Sequence, residues 1–454
     1  MGPHQGEPML SVEEALERLL AAAGDPLPAE DMPLGNALDR VLAESIHSAV
    51  DLPPWDNSSM DGFAVRAGDV AGATPELPIR LRVVGEVRAG GLADLDLPPG
   101  CAIRITTGAR MPDSADAVVP VESTIVEAAP AGSKSRPGAP GSPREMGFLA
   151  GEPLPDACLV RAAVGPGDYV RTRGQDVQAG TSLLEPSRPV TPAQISLAAA
   201  VGVDSLRVHR RPVVAVLSSG DELRAAGQEL GPSGIPDANR PGLLAMCHAE
   251  GASVLDLGIV PDSLDATRAA LESALEQSDV LIVSGGVSVG PYDLVRSAFE
   301  ALGRVELWRV AVQPGKPFAF GRSRPRESDG RPVLMFGLPG NPVSALVTFH
   351  LFVRPVLARL SGLERRANDV DRAITEDRLQ KAPSRRGFLR VVVVRDGFGA
   401  PARDAAGRLR VRLSGGQGSH VLSAMALADA LAVVPETVDR LEPGSEVEIR
   451  WLHR

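Results

Sequence analysis

Residues from about 207 to 360 alternate between apolar runs and helical stretches, and this alternation restricts the fold more than any other feature of the sequence. The apolar runs include PVVAVLSS, ASVLDLGIV, DVLIVSGG and VLMFGLPG, and stretches with helical periodicity such as SLDATRAALESALEQ separate them. Continuous apolar strands joined by helices are typical of a parallel sheet that is covered on both faces. We therefore expect an α/β domain at the centre of the chain.

The rest of the chain predicts further domains, because 454 residues with 44% hydrophobic content exceed what one core organises. A helix with Ser11 as N-cap and Gly24 as its stop is predicted near the start. Short β-branched runs from about 78 to 126 predict a small β domain, and similar runs after about 365 predict a small β barrel or sandwich. The stretch 128–143 is almost entirely Ala, Pro, Gly and Ser, which indicates a mobile loop.

Composition excludes several classes of function. The net charge of -10 and a pI near 5.4 argue against a nucleic-acid partner, because binding a phosphate backbone needs a basic face. Cys101, Cys158 and Cys247 are far apart and form neither a disulfide framework nor a CxxC metal motif, so we expect a cytoplasmic protein. Scattered histidines disfavour a zinc site. We expect no membrane span, since no signal pattern is present and no apolar run is expected to reach bilayer length.

Four polar loops follow strands of the predicted parallel sheet. They are SSGDEL (218–223), GIVPD (258–262), SGGVSVGPYD (284–293) and GLPGNPVS (337–344). Ligands of open parallel sheets bind at the carboxyl ends of the strands, where such loops meet. The glycines of the third loop let backbone N–H groups approach an oxyanion, so this loop resembles a phosphate cradle. A plain tight turn is the alternative interpretation of the same glycines.

Carboxylates accompany this cradle in three of the loops. A carboxylate held about 4 Å from a phosphate charge is repelled by on the order of 4 kcal/mol at a surface-like dielectric, so several acids here imply a cation between them. Mg²⁺ is the natural candidate, because it prefers carboxylate and phosphate oxygens. Asp221 and Glu222 have an alternative interpretation, in which they begin a helix and complement its dipole.

Three further stretches concentrate polar residues. DLPPWDNSSMDGFAVRAGD (51–69) places acids and hydroxyls behind Trp55, which we expect to be a buried packing anchor. RITTGARMPDSADAVV (104–119) adds Thr107 at a strand end, as either an anion contact or part of an ordinary turn. QPGKP (313–317) is no Walker motif, and its Lys316 either reaches an anion or is a solvated loop charge.

Eight motifs together resemble one family. PPWDNSSMDGFAVR, RITTGARMPDSADAVV, RTRGQDV, LSSGDEL, SGGVSVGPYD, PGKPFAFG, GLPGNPVSA and GGQGSH occur in the order and approximate spacing of the molybdopterin molybdenumtransferase family, the MoeA and gephyrin E-domain group. The similarity runs from about residue 8 to the C-terminus, except for the loop near 128–160. The resemblance implies an enzyme of molybdenum cofactor biosynthesis that inserts molybdate into adenylylated molybdopterin. It also implies Mg²⁺-dependent cleavage of the adenylate, which releases molybdenum cofactor and AMP.

The resemblance further implies a multidomain fold, α/β plus β, in an elongated homodimer. Its active site would lie at the subunit interface, between the α/β domain of one subunit and the second domain of its partner. The implied domains are a discontinuous linker domain (8–50 and 165–206), a β-rich second domain (51–164, with a mobile insert near 128–160), a central molybdopterin-binding α/β domain with a parallel sheet (207–360) and a small C-terminal β barrel (361–454).

Site residues follow from the same resemblance, position by position, with Mg²⁺ as the cofactor. The catalytic residues would be Asp293, Asp61 and Lys316, and the metal ligands would be Glu222, Asp262 and Asp293. The substrate would be bound by Thr107, Asp176, Ser219, Gly285, Gly286, Ser288, Asn341 and Ser344, and molybdate by Arg309, Lys316, Arg390 and Ser419. Molybdate is a dianion, so it needs the positive charge and hydroxyl donors that the last set supplies.

One departure from the family pattern motivates a second function. Many members have Lys-Pro-Gly-Lys-Pro, whereas this chain has Gln313 before PGKP, and it has Arg309 where a second lysine is frequent. Loss of one cation would weaken molybdate binding by roughly tenfold to hundredfold. The alternative is therefore a gephyrin-like scaffold or adaptor that has a protein partner and reduced or lost transferase activity. A sugar or nucleotide kinase is disfavoured, because the Walker lysine context is absent.

Overall fold

The structure is a computed structural model of the chain, and it describes residues 9–127, 154–286, 294–363 and 370–452, without the side chains of 307–309. The chain divides into two compact units. The first unit contains Ser45–Glu185 and Pro192–Asp204. The second contains the residues before Ser45, Pro186–Thr191 and the residues from Ser205 onward. Both units are therefore assembled from segments that are distant in the sequence.

A capped helix opens the described chain. α1 (Val12–Ala23) begins after Ser11, whose Oγ accepts a hydrogen bond from the Glu14 N–H at 3.1 Å. The Glu14 carboxylate accepts in return from the Ser11 N–H at 2.8 Å. This capping box and the C-cap at Gly24 confirm the predicted helix. Two short strands follow, β1 (Ala29–Pro33) and β2 (Ile46–His47).

A curled, mostly antiparallel sheet forms the centre of the first unit. The strands up to residue 160 are β3 (Asn57–Ser58), β4 (Gly62–Val65), β5 (Ile79–Val87), β6 (Cys101–Ile105), β7 (Ala117–Pro120), β8 (Thr124–Glu127) and β9 (Ala157–Val160). The sheet order is β7-β4-β6-β5-β9-β8, with β5 and β6 parallel. Most of the predicted insert lies outside the described residues. Its last residues form β9, although the insert was expected to extend to about residue 160.

Segments on either side of this sheet pair with each other. The next elements are β10 (Val170–Arg171), β11 (Ser182–Leu184), α2 (Pro192–Ala200) and β12 (Ser205–His209). β12 is antiparallel to β1, and β11 is antiparallel to β2. Residues before 50 thus pair with residues after 180 in two places, and the two pairs belong to different compact units. The discontinuous linker domain stays a prediction.

An α/β sheet forms the centre of the second unit. Its region contains β13 (Val213–Ser219), β14 (Leu223–Arg224), β15 (Ile235–Pro236), α3 (Asn239–Ala249), β16 (Ser253–Val260), α4 (Leu264–Leu275), β17 (Val280–Ser284), α5 (Leu294–Leu302), β18 (Gly303–Arg309), β19 (Val312–Gln313), β20 (Pro317–Pro325) and β21 (Pro332–Leu338). The sheet order is β16-β13-β17-β21-β20-β18. The first four strands are parallel, as predicted. β20 and β18 are antiparallel and extend one edge, which the sequence did not indicate.

Alternate residues of the parallel strands face two different hydrophobic cores. In β13, Val214 and Val216 pack in a core that contains buried residues of α1 and α3. Ala215 and Leu217 pack in a second core with residues of α4 and α5. Both faces of the strand are therefore buried, which explains why its sequence is apolar without a polar alternation.

A long apolar helical run follows β21. It consists of α6 (Pro342–Thr348), a π-helical turn (Phe349–Val353) and α7 (Arg354–Leu360). The run Pro342–Leu360 has 19 residues and is long and apolar enough to cross a membrane, so the expectation that no apolar run reaches this length is wrong. Its most apolar stretch is 72% buried inside the protein, which is the position of a core helix.

The C-terminal region is a closed β barrel. Its elements are β22 (Val370–Thr375), β23 (Leu379–Gln380), β24 (Arg386–Val393), β25 (Leu409–Leu413), α8 (Leu422–Ala426), β26 (Ala430–Val434), β27 (Arg440–Leu441) and β28 (Glu446–Trp451). The five strands β24-β25-β22-β28-β26 close because β26 pairs back onto β24. The structure therefore confirms the barrel and not the sandwich.

All three cysteines are free and buried, in agreement with the expected absence of a disulfide framework. Burial raises the pKa of the Cys158 and Cys247 thiols to about 12. A thiol with such a pKa is protonated at neutral pH, so these two side chains behave as small apolar core residues.

Candidate functional site

Two glycines close the end of strand β17. Gly285 has φ +91°, and a Cβ there would lie 2.5 Å from the Ser219 carbonyl oxygen. Gly286 has φ +66°, and a Cβ there would lie 2.7 Å from Val295 Cγ2. Both positions therefore require glycine, which allows the backbone to lie against the end of β13. The predicted site residues Ser288 and Asp293 lie outside the described residues.

An acidic rim surrounds the carboxyl ends of β13 and β16. Ser219 Oγ donates a 2.9 Å hydrogen bond to Asp262 Oδ1, and the Asp262 N–H donates a 3.0 Å bond to Asp221 Oδ1. The Glu222 carboxylate folds back over Gly220, where a Cβ would lie 2.8 Å from its Oε2. The predicted residues Ser219, Glu222 and Asp262 thus lie together at one edge. The interpretation of Asp221 and Glu222 as a helix start is wrong, because a turn and then strand β14 follow.

The described part of the chain contains no group of three His, Cys, Asp or Glu side chains placed to hold a metal ion. Asp221, Glu222 and Asp262 are all exposed at the rim. Their oxygen atoms are hard ligands of the kind that Mg²⁺ prefers. The rim therefore offers suitable donor atoms without a complete set of protein ligands among the described residues.

Asp237 and Asn239 also belong to this edge, and sequence reasoning missed them. Asp237 is buried and accepts a 3.1 Å hydrogen bond from Ser218 Oγ. Asn239 Nδ2 donates to Ser284 Oγ and to the Gly340 carbonyl, both at 2.8 Å. These bonds fix the loops after β13, β17 and β21 relative to one another. The two polar residues of Asp-Ala-Asn, at the start of helix α3, were the available signal.

A second cluster lies along helix α6. The turn that carries Lys316 packs on this helix, because a Cβ on Gly315 would lie 2.4 Å from Thr348 Cγ2. The Ser419 carbonyl accepts a 3.1 Å hydrogen bond from the Val343 N–H in the first turn of α6. The predicted residues Lys316 and Ser419 therefore both lie against α6. Lys316 is half-buried and has no hydrogen-bond or ion-pair partner among the described residues.

The other two predicted residues of this helix differ in exposure. Asn341 is the exposed N-cap residue of α6, and its side chain makes no capping hydrogen bond. Ser344 is buried in the next turn. Asn341 is thus available to a ligand, whereas the Ser344 side chain is enclosed by the protein.

Arg390 places a buried positive charge beneath the loop that carries Ser419. Its side chain is 1% exposed, and its Nη2 donates to the carbonyls of Gly416 and Gly418, both at 3.1 Å. Within the described ranges its Nε has no acceptor and no carboxylate forms an ion pair with it. Burial lowers the pKa of this guanidinium to about 10, so Arg390 remains charged at neutral pH. The side chain of Arg309 lies outside the described residues.

The first unit brings its own predicted residues together. Asp61 Oδ1 accepts hydrogen bonds from the Thr107 N–H at 2.7 Å and from Thr107 Oγ1 at 3.0 Å. Asp176 is exposed, and its N–H donates a 3.0 Å bond to the Leu52 carbonyl. The three motifs that supply these residues thus contact one another locally. Trp55 is 45% exposed in the same region, so the expectation that it is a buried packing anchor is wrong.

Comparison with known proteins identifies the family. Three family profiles match: the MoeA N-terminal region (domain I and II) over 10–202, a probable molybdopterin binding domain over 215–359 and the MoeA C-terminal region (domain IV) over 372–452. A molybdopterin molybdenumtransferase from Haemophilus influenzae is 33% identical over 442 residues, which cover 97% of this chain and 98% of that protein. The chain belongs to the molybdopterin molybdenumtransferase family.

Further relatives agree with this membership. A molybdopterin molybdenumtransferase from Nostoc sp. is 38% identical over 335 residues, or 74% of this chain and 70% of that protein. The solved structure of a MoeA protein from Pyrococcus horikoshii superposes with a TM-score of 0.75 at 31% identity, covering 98% of this chain and 99% of that one. The multidomain fold expected from the resemblance is confirmed. The chain is an enzyme of the molybdenumtransferase family, whose members act in molybdenum cofactor biosynthesis.

Gln313 stands where the molybdenumtransferase pattern frequently has a lysine, and the structure gives it a defined contact. Its Oε1 accepts a 2.6 Å hydrogen bond from the Ala382 N–H in the barrel region. Strand β19 also pairs with β24, with Gln313 opposite Gly387. The side chain of Gln313 therefore attaches the turn that carries Lys316 to the C-terminal barrel.

Proposed function

We propose that this protein inserts molybdate into adenylylated molybdopterin, with cleavage of the adenylate and release of molybdenum cofactor and AMP. The observation that carries the proposal is the buried guanidinium of Arg390, which lacks a carboxylate partner in the described part of the chain. A buried cation without a counterion is costly, so an anion that binds beside it gains strongly. Molybdate is a dianion of suitable charge.

Lys316 and Ser419 support the same proposed molybdate site. The turn of Lys316 and the loop of Ser419 both lie against α6, and the carbonyls of that loop hold Arg390 in place. Two cationic side chains and a hydroxyl group suit a tetrahedral oxyanion, since the charged groups supply attraction and the hydroxyl donates a hydrogen bond. Arg309 is a further candidate for this pocket.

The acidic rim suits the adenylate end of the substrate. We propose Glu222, Asp262 and Asp293 as ligands of a Mg²⁺ ion, because hard carboxylate oxygens match its preference for a few protein ligands plus phosphate oxygens. Glu222 and Asp262 are exposed at the rim. The ion supplies charge neutralisation at the phosphate anhydride. The chain's own contribution is positional: Ser219 orients the Asp262 carboxylate, and Gly285 allows the backbone at the end of β17 to lie against the end of β13.

The homodimer is part of the proposal. Asp61, Thr107 and Asp176 cluster on the first unit, and we propose that a partner subunit presents this cluster to the substrate. Mixing two inactive variants tests this directly. A chain with Asp61→Asn and a chain with Asp262→Asn should regain about a quarter of the activity when they are mixed in equal amounts. Random exchange makes about half of the dimers mixed, and one of the two sites in each mixed dimer is intact.

The decisive experiment measures AMP release from adenylylated molybdopterin in the presence of molybdate and Mg²⁺. The wild-type protein should release AMP, and Asp293→Asn should release little. Arg390→Gln should bind the adenylate normally but lose the stimulation by molybdate. Arg372→Gln is a matched control, because Arg372 is an exposed arginine of the same barrel. A wild-type protein that binds the adenylate but never releases AMP would refute the proposal and favour the adaptor function with a protein partner.

A further inference from the structure

We propose that a concave, arginine-lined surface on the antiparallel edge of the α/β sheet binds a phosphate group. The concavity has a volume of about 370 Å³. Its lining residues are Gly303, Arg304, Arg322, Ser323, Arg324, Pro325 and Pro332. We call it the arginine pocket. It is independent of the proposed molybdate insertion.

Strand register places three guanidinium groups on one side of the sheet. Arg304 of β18 lies directly opposite Arg322 of β20. Arg322 and Arg324 are two residues apart on β20, and both are exposed, whereas Ser323 between them is buried. Directly opposed residues have Cβ atoms about 5 Å apart, and like charges at this separation are destabilising. The sheet therefore holds these arginines together against their mutual repulsion.

Among the described residues, this cluster has a single ion pair, and that pair is long. Arg304 Nε lies 3.9 Å from Glu306 Oε1, at the limit of an ion pair. The side chains of Arg322 and Arg324 have no ion-pair or hydrogen-bond partner among the described residues. By contrast, the exposed Arg268 and Arg296 on neighbouring helices form ion pairs at 2.7 and 2.8 Å. In a chain of net charge -10, unpaired cations of this kind indicate an anion that is supplied from outside.

The shape of the pocket favours a small group. Its floor includes Gly303, which has no room for a side chain because a Cβ would lie 2.0 Å from the Arg322 carbonyl oxygen. The register shifts between Arg322 and Pro325, which interrupts the regular ladder at the same place. A volume of about 370 Å³ lies at the lower end of the range for small-molecule sites, about 300 to 1,000 Å³. The fork of a guanidinium group matches two oxygens of a phosphate.

The arginine pocket is separate from the acidic rim. Pro332 lines the pocket and is the first residue of β21, whereas Leu338 is the last residue, at the rim. Six residues of a strand span roughly 20 Å. A ligand in the arginine pocket would therefore bind at the opposite end of the parallel strands, without contact with the proposed substrate.

Calorimetric titration of the full chain with inorganic pyrophosphate, at constant ionic strength and without Mg²⁺, tests the proposal. The double variant Arg322→Ser/Arg324→Ser should lose one binding site per chain or bind at least tenfold more weakly. Arg268→Ser/Arg296→Ser removes the same two charges from exposed positions and should bind as the wild type does. Equal binding by both double variants, or no binding by the wild type, would overturn the proposal.

Two further measurements distinguish the source of the phosphate and guard against misfolding of the double variant. Cosedimentation with phosphatidylglycerol vesicles, with phosphatidylcholine vesicles as control, detects a lipid headgroup, whereas binding of pyrophosphate alone indicates a soluble phosphate compound. Absence of both vesicle binding and pyrophosphate binding overturns the proposal.

Arg304→Gln should raise the melting temperature in phosphate-free buffer, because it relieves like-charge repulsion, and should weaken pyrophosphate binding. No change in either quantity would also contradict the proposal.

Discussion

The hydroxyl of Ser219 donates a 2.9 Å hydrogen bond to the carboxylate of Asp262, which joins the carboxyl ends of the neighbouring strands β13 and β16. Ser219 is buried and Asp262 is exposed. A rigid, buried donor thus holds a carboxylate that we propose as a Mg²⁺ ligand. Partners of this kind orient metal ligands and commonly change metal affinity by about 10- to 100-fold when they are removed.

Ser219→Ala should therefore raise the Mg²⁺ concentration needed for half-maximal AMP release by about tenfold. Its free energy of unfolding should fall by only about 1 kcal/mol, the net value of one hydrogen bond. Ser273→Ala is the control, since Ser273 is exposed on α4 and its hydroxyl donates only to a backbone carbonyl of the same helix. An unchanged Mg²⁺ dependence in Ser219→Ala would contradict the proposed role of Asp262.

Gly285→Ala should destabilise the protein and abolish binding of the adenylate. A Cβ at this position meets the Ser219 carbonyl oxygen at 2.5 Å, in addition to the strain of φ +91°. Gly251→Ala is a matched control, because Gly251 also has a positive φ, +77°, but open space around it. Gly251→Ala should lose only the free energy of unfolding that the strained backbone costs, about 1 to 2 kcal/mol, and should bind the adenylate as the wild type does. Thermal unfolding and adenylate titration of both variants test this prediction. Equal losses of stability and of adenylate binding in the two variants would show that the contact with Ser219 is unimportant.

Substitutions of Gln313 distinguish two explanations of this residue, one from the family sequence pattern and one from the structure. If Gln313 replaces a useful cation, then Gln313→Lys should improve the KM for molybdate. The structure predicts no improvement, because the amide oxygen is needed as the acceptor for the Ala382 N–H. Gln313→Met should raise this KM several-fold with a smaller change in kcat, and Gln313→Glu should retain the acceptor and act nearly as wild type. A lower KM for molybdate in Gln313→Lys would instead support the interpretation that Gln313 replaces a cation that binds molybdate.

Asp279 predicts how stability depends on acid. Burial alone would raise the pKa of this carboxyl, but hydrogen bonds from Arg210, the Val213 N–H and Arg326 outweigh burial and hold it below the ordinary value of 3.8. Its contribution to stability is therefore fully present above about pH 4 and is lost as the pH falls through the lower folded-state pKa. Asp279→Asn should lose about 3 kcal/mol at pH 7, because it removes the carboxylate partner of the half-buried Arg210 and one of the two carboxylates that pair with the buried Arg326.

Denaturant unfolding between pH 7 and pH 2 measures this effect. The difference in stability between wild type and Asp279→Asn should shrink as the pH falls below about 4. A difference that stays constant over the whole range would contradict the predicted titration. Asp265→Asn is a suitable control, because Asp265 lies in the exposed first turn of α4.

Sequence patterns predicted the parts of the fold that depend on local periodicity. The capped helix after Ser11 and the parallel strands were accessible because capping residues and apolar runs are local signals. The antiparallel strands β18 and β20 were not, because strand direction depends on how the chain returns to the sheet. The length of the helical run from Pro342 was also missed, since its prolines begin helical turns instead of breaking them.

The sequence predicted which residues lie at the site, but not the hydrogen bonds that join them. Ser219, Glu222 and Asp262 were named from the sequence, and they do lie together at the rim. The bonds that fix them to Asp221 and the bridging role of Asn239 were not foreseen, because hydrogen bonds between distant loops leave no periodic signal. Trp55 shows the same limit, since residue type alone did not reveal its exposure.

The burial of all three cysteines has a practical consequence for studying assembly. A native chain without accessible thiols reacts little with maleimide reagents, so one cysteine introduced on the surface would be the dominant attachment point for a spin label or fluorophore. Paired labels would then report distances across the proposed dimer by pulsed electron resonance, with no need to engineer a cysteine-free background.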